Sequence, residues 1–499
     1  MSNKNKPHPW ALHWRSNTFF ITATVAIGLF TDLFLYGLVV PILPFMLRSR
    51  LGVPEDQIQS YVSGLLAAYA GSSVLFAFPA GWVADKTNSR QAPFLSGLAA
   101  LLGATVMLAF GRNIPVIIVA RVLQGISGAV VWTIGLAMVM DTVGPENMGK
   151  VVGSIFSFIS IGQLVAPVLG GVLYEKTGYA GVFGVSSAVL ALDFIMRLFI
   201  IEKKTAAKYL LPPQGESAIS RGNGDRGSGG STGDEEGNRD QEPSEEDPLL
   251  STPGNNENED ESEDAYYKIQ HRSGKLAQSV PILLCFRNPR LLVSLLLAFV
   301  QASLLALFDA TIPTEAQELF GFSSLEAGLL FIATDVPYLV LGPLAGWAVD
   351  RFGTKPAAVF GFAYLVPTLV LLRLPAAHLL DDNKTGNIIL YSTLLALNGV
   401  GLAVIGSPSV VEASDVVQRY DRANPGFFGP NGPYAQLYGF NSVFFNLGLT
   451  VGPLAAGALR NAIGYGNMNV VFAAACGVTA LLSFLFIGGK PAVLARWKW

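Results

Sequence analysis

Twelve apolar runs, each as long as a helix needs to be to cross a bilayer, leave this chain little choice of fold. They fall near 19–47, 60–80, 91–111, 114–140, 147–174, 180–201, 291–313, 324–345, 356–374, 388–411, 434–459 and 466–487. Gly, Pro and Asn clusters mark most breaks. The boundaries around the tenth run are the least defined, because 412–433 (EASDVVQRYDRANPGFFGPNGP) reads as a helix end followed by a long turn. With 51% apolar and 14% charged residues, the chain is too apolar for a soluble protein. The predicted class is all-α, a polytopic membrane protein with twelve transmembrane helices. The first eighteen residues are polar and basic, with no short cleavable signal before the first run, which is expected to serve as the signal itself. Two cysteines, Cys285 and Cys476, make no disulfide framework.

Lys and Arg set the expected orientation. With both termini inside, the cytoplasmic segments hold 24 of these residues and the external segments 7, while Arg121 and Arg197 lie within helices. Asn383, in the one N-x-[ST] sequon, then falls in an external loop and is a candidate glycosylation site. Between the sixth and seventh runs the character changes: from Pro212 to Ala265, sixteen Asp or Glu stand against three Arg. Such a segment buries too little apolar surface to fold. Residues 202–290 are therefore expected to be a disordered acidic cytoplasmic linker between an N-terminal bundle, 1–201, and a C-terminal bundle, 291–499. Within the linker, Glu245, Leu249 and Leu250 (EEDPLL) have the E-x-x-x-L-L form of an acidic dileucine sorting signal, which a cytosolic adaptor would read. Such hexamers also arise by chance. A working signal would favour a vacuolar or vesicular membrane over the plasma membrane.

The two halves repeat one pattern. GWVADKTNSR (Gly81 to Arg90) and GWAVDRFGTK (Gly346 to Lys355) each follow an apolar run, and Asp85 and Asp350 are 265 residues apart. Gly lets helices approach closely, and an acid flanked by bases at a helix end can lock to a neighbouring helix. GQLVAPVLGGVLYEKTGY (Gly162 to Tyr179) and GLTVGPLAAGALRNAIGY (Gly448 to Tyr465) align without a gap at an offset of 286. Gly162, Pro167, Gly170 and Gly171, and in the second copy Gly448, Gly452 and Pro453, combine close crossing with a bend, as rocking helices require.

The decapeptides resemble the loop motif G-x-x-x-D-[RK]-x-G-[RK]-[RK] of the major facilitator superfamily. The longer pair resembles that family's antiporter-associated G-x-x-x-G-P-x-x-G-G, and RVLQGISG (Arg121 to Gly128) its R-x-x-x-G pattern. Two departures stand out: Asn88 replaces the inner glycine that the second copy keeps as Gly353, and Ala166 replaces the glycine before Pro167. The resemblance implies two pseudo-symmetric six-helix bundles, with Gly81, Asp85, Arg90, Gly346, Asp350 and Arg351 forming a conformational latch.

Nothing in the chain reads as an enzyme. There is no P-loop, the four His show no metal-ligand spacing, and neither a cofactor nor a nucleic-acid partner is expected. Chemistry should sit on ionisable groups inside helices, which are costly unless paired or facing a cavity. Asp32 lies near the middle of the first run, in TDLFLYGLVVPILP. That stretch resembles the first helix of vesicular monoamine transporters and related drug:H⁺ antiporters, where D-x(8)-P-x-x-P places an acid in the substrate cavity. Asp309 falls where those relatives carry a Glu, and Asp335 lies midway along the eighth run. The relatives' acid in the eleventh helix is missing; Asn441 and Ser442 stand there. Each position also has a structural reading. Asp32 could bond to a neighbouring helix, Arg121 could tie helices rather than couple protons, and Asp309 could sit among headgroups. Asp193 and Arg197, one turn apart, are expected to pair structurally. Glu412 and Asp415 are expected at an inner gate or loop, and Tyr36, Trp132 and Tyr338 either line a cavity or pack.

The expected activity is proton-coupled secondary transport by a monomer, in the antiport direction, of a small organic compound leaving the cytosol. A cationic substrate would compete with the proton for Asp32. Symport or uniport is the alternative mode. A non-transporting receptor or scaffold is the alternative class, against which two retained latch motifs argue.

Overall fold

The structure, a computed structural model, describes residues 10–86, 91–143, 145–201, 203, 206, 266–269, 281–377, 383–428 and 433–488. Among them the regular structure is entirely helical. Helix α1 (Thr18–Val39) starts at Asn17, whose side chain accepts the Phe19 N–H. It passes through a 3-10 turn at Val40–Ile42 into α2 (Leu43–Ser49). Pro41 and Pro44 cause that turn, since each removes a backbone donor from the i→i−4 ladder. Then follow α3 (Glu55–Lys86), α4 (Gln91–Phe110), α5 (Ile114–Val143) and α6 (Pro145–Phe199). The second half comprises α7 (Pro289–Phe320), α8 (Ser324–Phe352), α9 (Thr354–Leu371), α10 (Lys384–Ile405), α11 (Pro408–Ala423) and α12 (Tyr434–Phe486).

Ten of these stretches are long and apolar enough to span a bilayer. Two of them are broken by glycines in the left-handed region, Gly178 (φ 61°) in α6 and Gly464 (φ 81°) in α12. Each broken stretch makes two passes, so the helices cross twelve times. With an even number of passes, the first begins and the last ends on one face, the terminal face. Large apolar side chains point outward: Phe110 is 76% exposed, Leu75 73% and Phe360 72%. That surface is stable against lipid tails and would aggregate in water.

After the tenth pass the chain runs as the sequence suggests, a helix end and then a turn: α11 carries Glu412 and ends at Ala423, and residues 424–428 turn. Pro408 at its first turn restarts the helix after Gly406, and Ala413, Val416, Val417 and Tyr420 are buried at helical spacing. Residues 266–269 and 281–290, inside the expected linker, are packed. Tyr267 packs edge-on against Tyr420, with ring centroids 5.0 Å apart. Asn424 clamps the backbone beside it, accepting from Ile269 N and donating to the Tyr267 carbonyl, both at 2.9 Å. Residues 281–287 form a 3-10 helix. The composition turns apolar again after Ala265, which is why these pieces can pack. Glu245, Leu249 and Leu250 lie outside the described residues.

Within the first half α1 packs on α6 and α3 on α5; within the second α7 packs on α12 and α8 on α10. The halves meet through α3 against α12 and α6 against α8. Both crossings depend on glycine. A Cβ on Gly171 would lie 2.3 Å from the Ser324 carbonyl oxygen, and one on Gly457 would lie 2.3 Å from Ser63 Oγ. These two glycines are related by the same offset of 286, so the sequence repeat makes a matched pair of inter-half contacts. Gln59 interlocks there as well. It donates to the Ala310 carbonyl at 3.0 Å and accepts from Thr314 Oγ1 and, at 3.1 Å, from Arg460 Nη1. Arg460 also pairs with Glu315 and Glu318, at 2.8 and 2.6 Å. Ser323 donates to Glu175 at 2.6 Å and Asn461 to Ser60 at 2.7 Å. These contacts all sit toward the face opposite the termini, so the two halves are closed on that face.

Glu412 ties the second half together on the terminal face. It accepts from Arg290, Thr354 and Gly488 N, while Arg290 reaches Asp415 at 2.6 Å. These links join the ends of α7, α9, α11 and α12 and leave the first half untouched. Cys285 and Cys476 are free and buried. Burial pushes the Cys285 thiol, outside the membrane spans, up to about 12. Only the thiolate reacts, so Cys285 should resist maleimide at neutral and mildly alkaline pH and label fully after denaturation, as mass spectrometry would show. Labelling in the folded protein would contradict the packing around it.

Candidate functional site

Asp32 lies four turns into α1, 2% exposed, with Thr31 at 0% beside it. Its Oδ2 accepts from Tyr69 Oη of α3 at 2.9 Å and from Trp132 Nε1 of α5 at 3.2 Å, while Oδ1 has no hydrogen-bond partner among the described residues. Gly128 gives the carboxylate room: a Cβ there would sit 3.0 Å from Asp32 Oδ2, so any larger residue would push the carboxylate aside by a few tenths of an ångström. The motif beginning at Arg121 therefore contributes shape as well as charge.

Arg121 is fully buried. Its Nη1 donates to Gln124 Oε1 at 3.0 Å, and its guanidinium lies 5.9 Å from the centre of the Tyr36 ring. Nε and Nη2 have no hydrogen-bond partner among the described residues. No carboxylate pairs with it among the described residues, and a buried guanidinium without one is expensive. Tyr36 connects the halves: its hydroxyl donates to Asp309 Oδ2 at 3.0 Å, and its ring packs 4.9 Å from that of Tyr69. The structure thus brings Asp32, Arg121 and Asp309 together around two tyrosines. Asp335 on α8 is half-buried and close enough to Asp309 for their charges to interact; Tyr338, one turn on, hydrogen-bonds Gln301.

Asp193 and Arg197 pair as expected, both fully buried, through two bonds of 2.7 Å. Arg197 also donates to the Phe94 carbonyl at 3.1 Å and lies over the Phe94 ring at 3.7 Å. Of the latch residues, Asp350 and Arg351 are exposed, and Arg351 lies over its own helix's Trp347 and Phe352 rings at 5.5 and 5.9 Å. A Cβ on Gly346 would meet nothing within 4 Å, so no close helix contact requires glycine there in this conformation. Gly353 has φ 88°, which accounts for the inner glycine of the motif. Gly81 and Asp85 belong to α3, but the Asp85 side chain and all of Arg90 lie outside the described residues. The bend motif packs as its small residues suggest. Gly170 meets the Leu38 carbonyl on α1, while Gly448 and Gly452 meet the Phe299 and Ser303 carbonyls on α7. Gly162 faces the Phe30 ring. Pro167 and Pro453 lie inside α6 and α12. Asn383 is exposed at the start of α10, where its side chain accepts the Gly386 N–H.

Tyr69, Gln59 and Arg460 were not legible as functional positions. Tyr69 sits in SGLLAAYAGSS without a motif, and only its position on the α3 face opposite Asp32 marks it.

The profile of the Major Facilitator Superfamily matches residues 25–424 and 295–496. An MFS-type transporter, ppzB, of Metarhizium rileyi is 50% identical over 96% of this chain and 97% of its own length. An MFS-type transporter of Schizosaccharomyces pombe is 39% identical over 94% of each chain. A probable vesicular acetylcholine transporter of Danio rerio is 31% identical over 36% of this chain and 38% of its own. Among solved structures, a D-xylose-proton symporter superposes with a TM-score of 0.63 at 14% identity, covering 94% of this chain and 98% of its own. With this breadth of similarity joined to twelve helical passes in two matched halves, the chain belongs to the major facilitator superfamily and is a multi-pass membrane transporter.

Proposed function

We propose that this transporter exchanges protons for a small organic compound, with Asp32 as the group both must occupy in turn. The observation that carries the reading is a carboxylate at mid-span, almost wholly buried, with one oxygen held by Tyr69 and Trp132 and the other without a protein partner. An ionised carboxylate away from water needs a compensating charge, and a bound cation or a bound proton supplies it. The two cannot be accommodated together, so each turn of the cycle trades one for the other. The partial similarity to vesicular acetylcholine transporters supports a cationic substrate, since acetylcholine is a cation. Asp309, Asp335 and Arg121 complete the site. The basic asymmetry of 24 to 7 supports a cytosolic terminal face, so the face closed in this conformation is the one turned outside or to the lumen. Asp85 and Arg90, with Asp350 and Arg351, then act as the cytosolic latch in the opposite conformation, and Asn383 is available to glycosylation on the far side.

The test is transport in sealed vesicles with an imposed pH gradient, screening organic cations first and neutral metabolites second. Accumulation against the direction of proton flow supports exchange. Accumulation with the proton flow replaces antiport by symport, and transport blind to the gradient rejects coupling. The linker offers a separate test. Leu249→Ala with Leu250→Ala should redistribute a fluorescently tagged protein from internal membranes to the cell surface, with vesicle activity unchanged. Unchanged distribution would reduce the motif to coincidence.

A further inference from the structure

The Tyr36 bond to Asp309 joins the first half to the second at 3.0 Å. Asp309 adjoins Ala310, whose carbonyl accepts from Gln59, so this bond continues the closed-face interlock toward the bilayer middle. Opening that face draws α7 away from α1 and α3, and must break both. We propose that Tyr36 is a positioning residue that converts the charge state of Asp309 into the balance between the closed conformation and the one open on the face opposite the termini.

The physical basis is the strength of the bond in its two states. A hydrogen bond to an ionised carboxylate is about twice as strong as one to a neutral acceptor. An ionised Asp309 therefore holds the halves closed, and a proton on it loosens the hold without needing any other group to move. Among the described residues, the charged groups around this bond lie on several helices. Asp335 of α8 acts on Asp309 through its charge. Arg121 of α5 lies 5.9 Å from the Tyr36 ring centre, and Tyr69 of α3, bonded to Asp32, stacks 4.9 Å from it. Further along α7, Glu315 and Glu318 pair with Arg460 of α12. Tyr36 thus stands between the carboxylates of the two halves, in contact with the ring that holds Asp32.

The inference rests on the proton-coupled reading, but its test needs no substrate. Spin labels at Asp56→Cys on α3 and Asn467→Cys on α12, both exposed on the closed face, report its opening in the purified full-length protein in lipid nanodiscs. As the pH falls from mildly alkaline to mildly acidic, the ratio of open to closed populations should rise about tenfold in the parent, the scale of one charge-assisted bond against a neutral one. Tyr36→Phe keeps the ring and should flatten the titration. Asp309→Asn should hold the parent's acidic ratio at every pH. Asp32→Asn and Glu315→Gln should both still titrate. A Tyr36→Phe protein that titrates like the parent overturns the proposal, as does a titration lost only in Asp32→Asn or Glu315→Gln. A flat parent also overturns it, whatever Asp32 does. If Asp32→Asn titrates here yet still exchanges substrate for protons, the reading of Asp32 fails and this one stands.

Discussion

Asp32→Asn is expected to abolish proton-driven transport while leaving the protein folded and delivered to its membrane. Asn keeps the size of the side chain and can still accept from Tyr69 and Trp132, so the packing between α1, α3 and α5 survives. What it loses is the charge. A unit pair about 4 Å apart at an effective dielectric near 20 is worth roughly 4 kcal/mol, so affinity for a cationic substrate should fall by up to about a thousandfold. The proton has no place to bind either, and a pH gradient can no longer do work on the cycle. Asp32→Glu should retain partial activity with a displaced pH profile, because the carboxylate remains but its distance to Tyr69 and Trp132 changes. Uptake in vesicles, read beside the size-exclusion profile of each purified variant, separates lost chemistry from lost fold. Asp32→Asn vesicles that still accumulate substrate against its gradient would move the coupling carboxylate to Asp309 or Asp335.

Arg197→Ala should damage the fold, and it also removes a positive charge that acts on Asp32. The guanidinium fills a fully buried position, bonded twice to Asp193 and once to the Phe94 carbonyl, with the Phe94 ring beneath it. Removing it strands the fully buried Asp193 carboxylate with no other base paired to it among the described residues. Breaking one side of a buried pair costs about 3–5 kcal/mol, a large share of the roughly 5–15 kcal/mol that holds a typical protein together. The variant should accumulate poorly and melt well below the parent in detergent. Replacing both partners, Asp193→Asn with Arg197→Met, removes the stranded charge and should recover most of the loss. A single Arg197→Ala variant with the parent's melting temperature would mean that the pair contributes little to stability.

Much of this architecture was open to reading, because the bilayer forces a simple code. A helix needs about twenty apolar residues, and the chain supplies twelve such runs, broken where Gly178 and Gly464 take left-handed backbone. Gly171 and Gly457 were visible as one repeated element, and the fold uses both at the same kind of crossing. The stretch after Glu412 was legible as a helix end and then a turn, and the buried stripe of EASDVVQRYDRA carries that helix to Ala423. The site was only half legible. A lone carboxylate in an apolar run stands out, and so does the Asp193 and Arg197 pair, because four residues bring them to one face. Tyr36, Tyr69 and Gln59 act through neighbours on other helices, and no local pattern in a chain with 15 Tyr distinguishes a bonded hydroxyl from a packed ring. Glu315 and Arg460 are 145 residues apart and meet only once α7 packs on α12 within the second half.

The most direct test of obligatory exchange is the movement of protons driven by substrate alone. Proteoliposomes loaded with a compound identified by the vesicle screen, at equal pH inside and out, are diluted into substrate-free buffer while a trapped pH dye is followed. If Asp32 holds proton and substrate by turns, substrate efflux must carry protons inward, so the lumen acidifies, and Asp32→Asn liposomes give no signal. Efflux at the parent's rate with a silent dye would contradict the account.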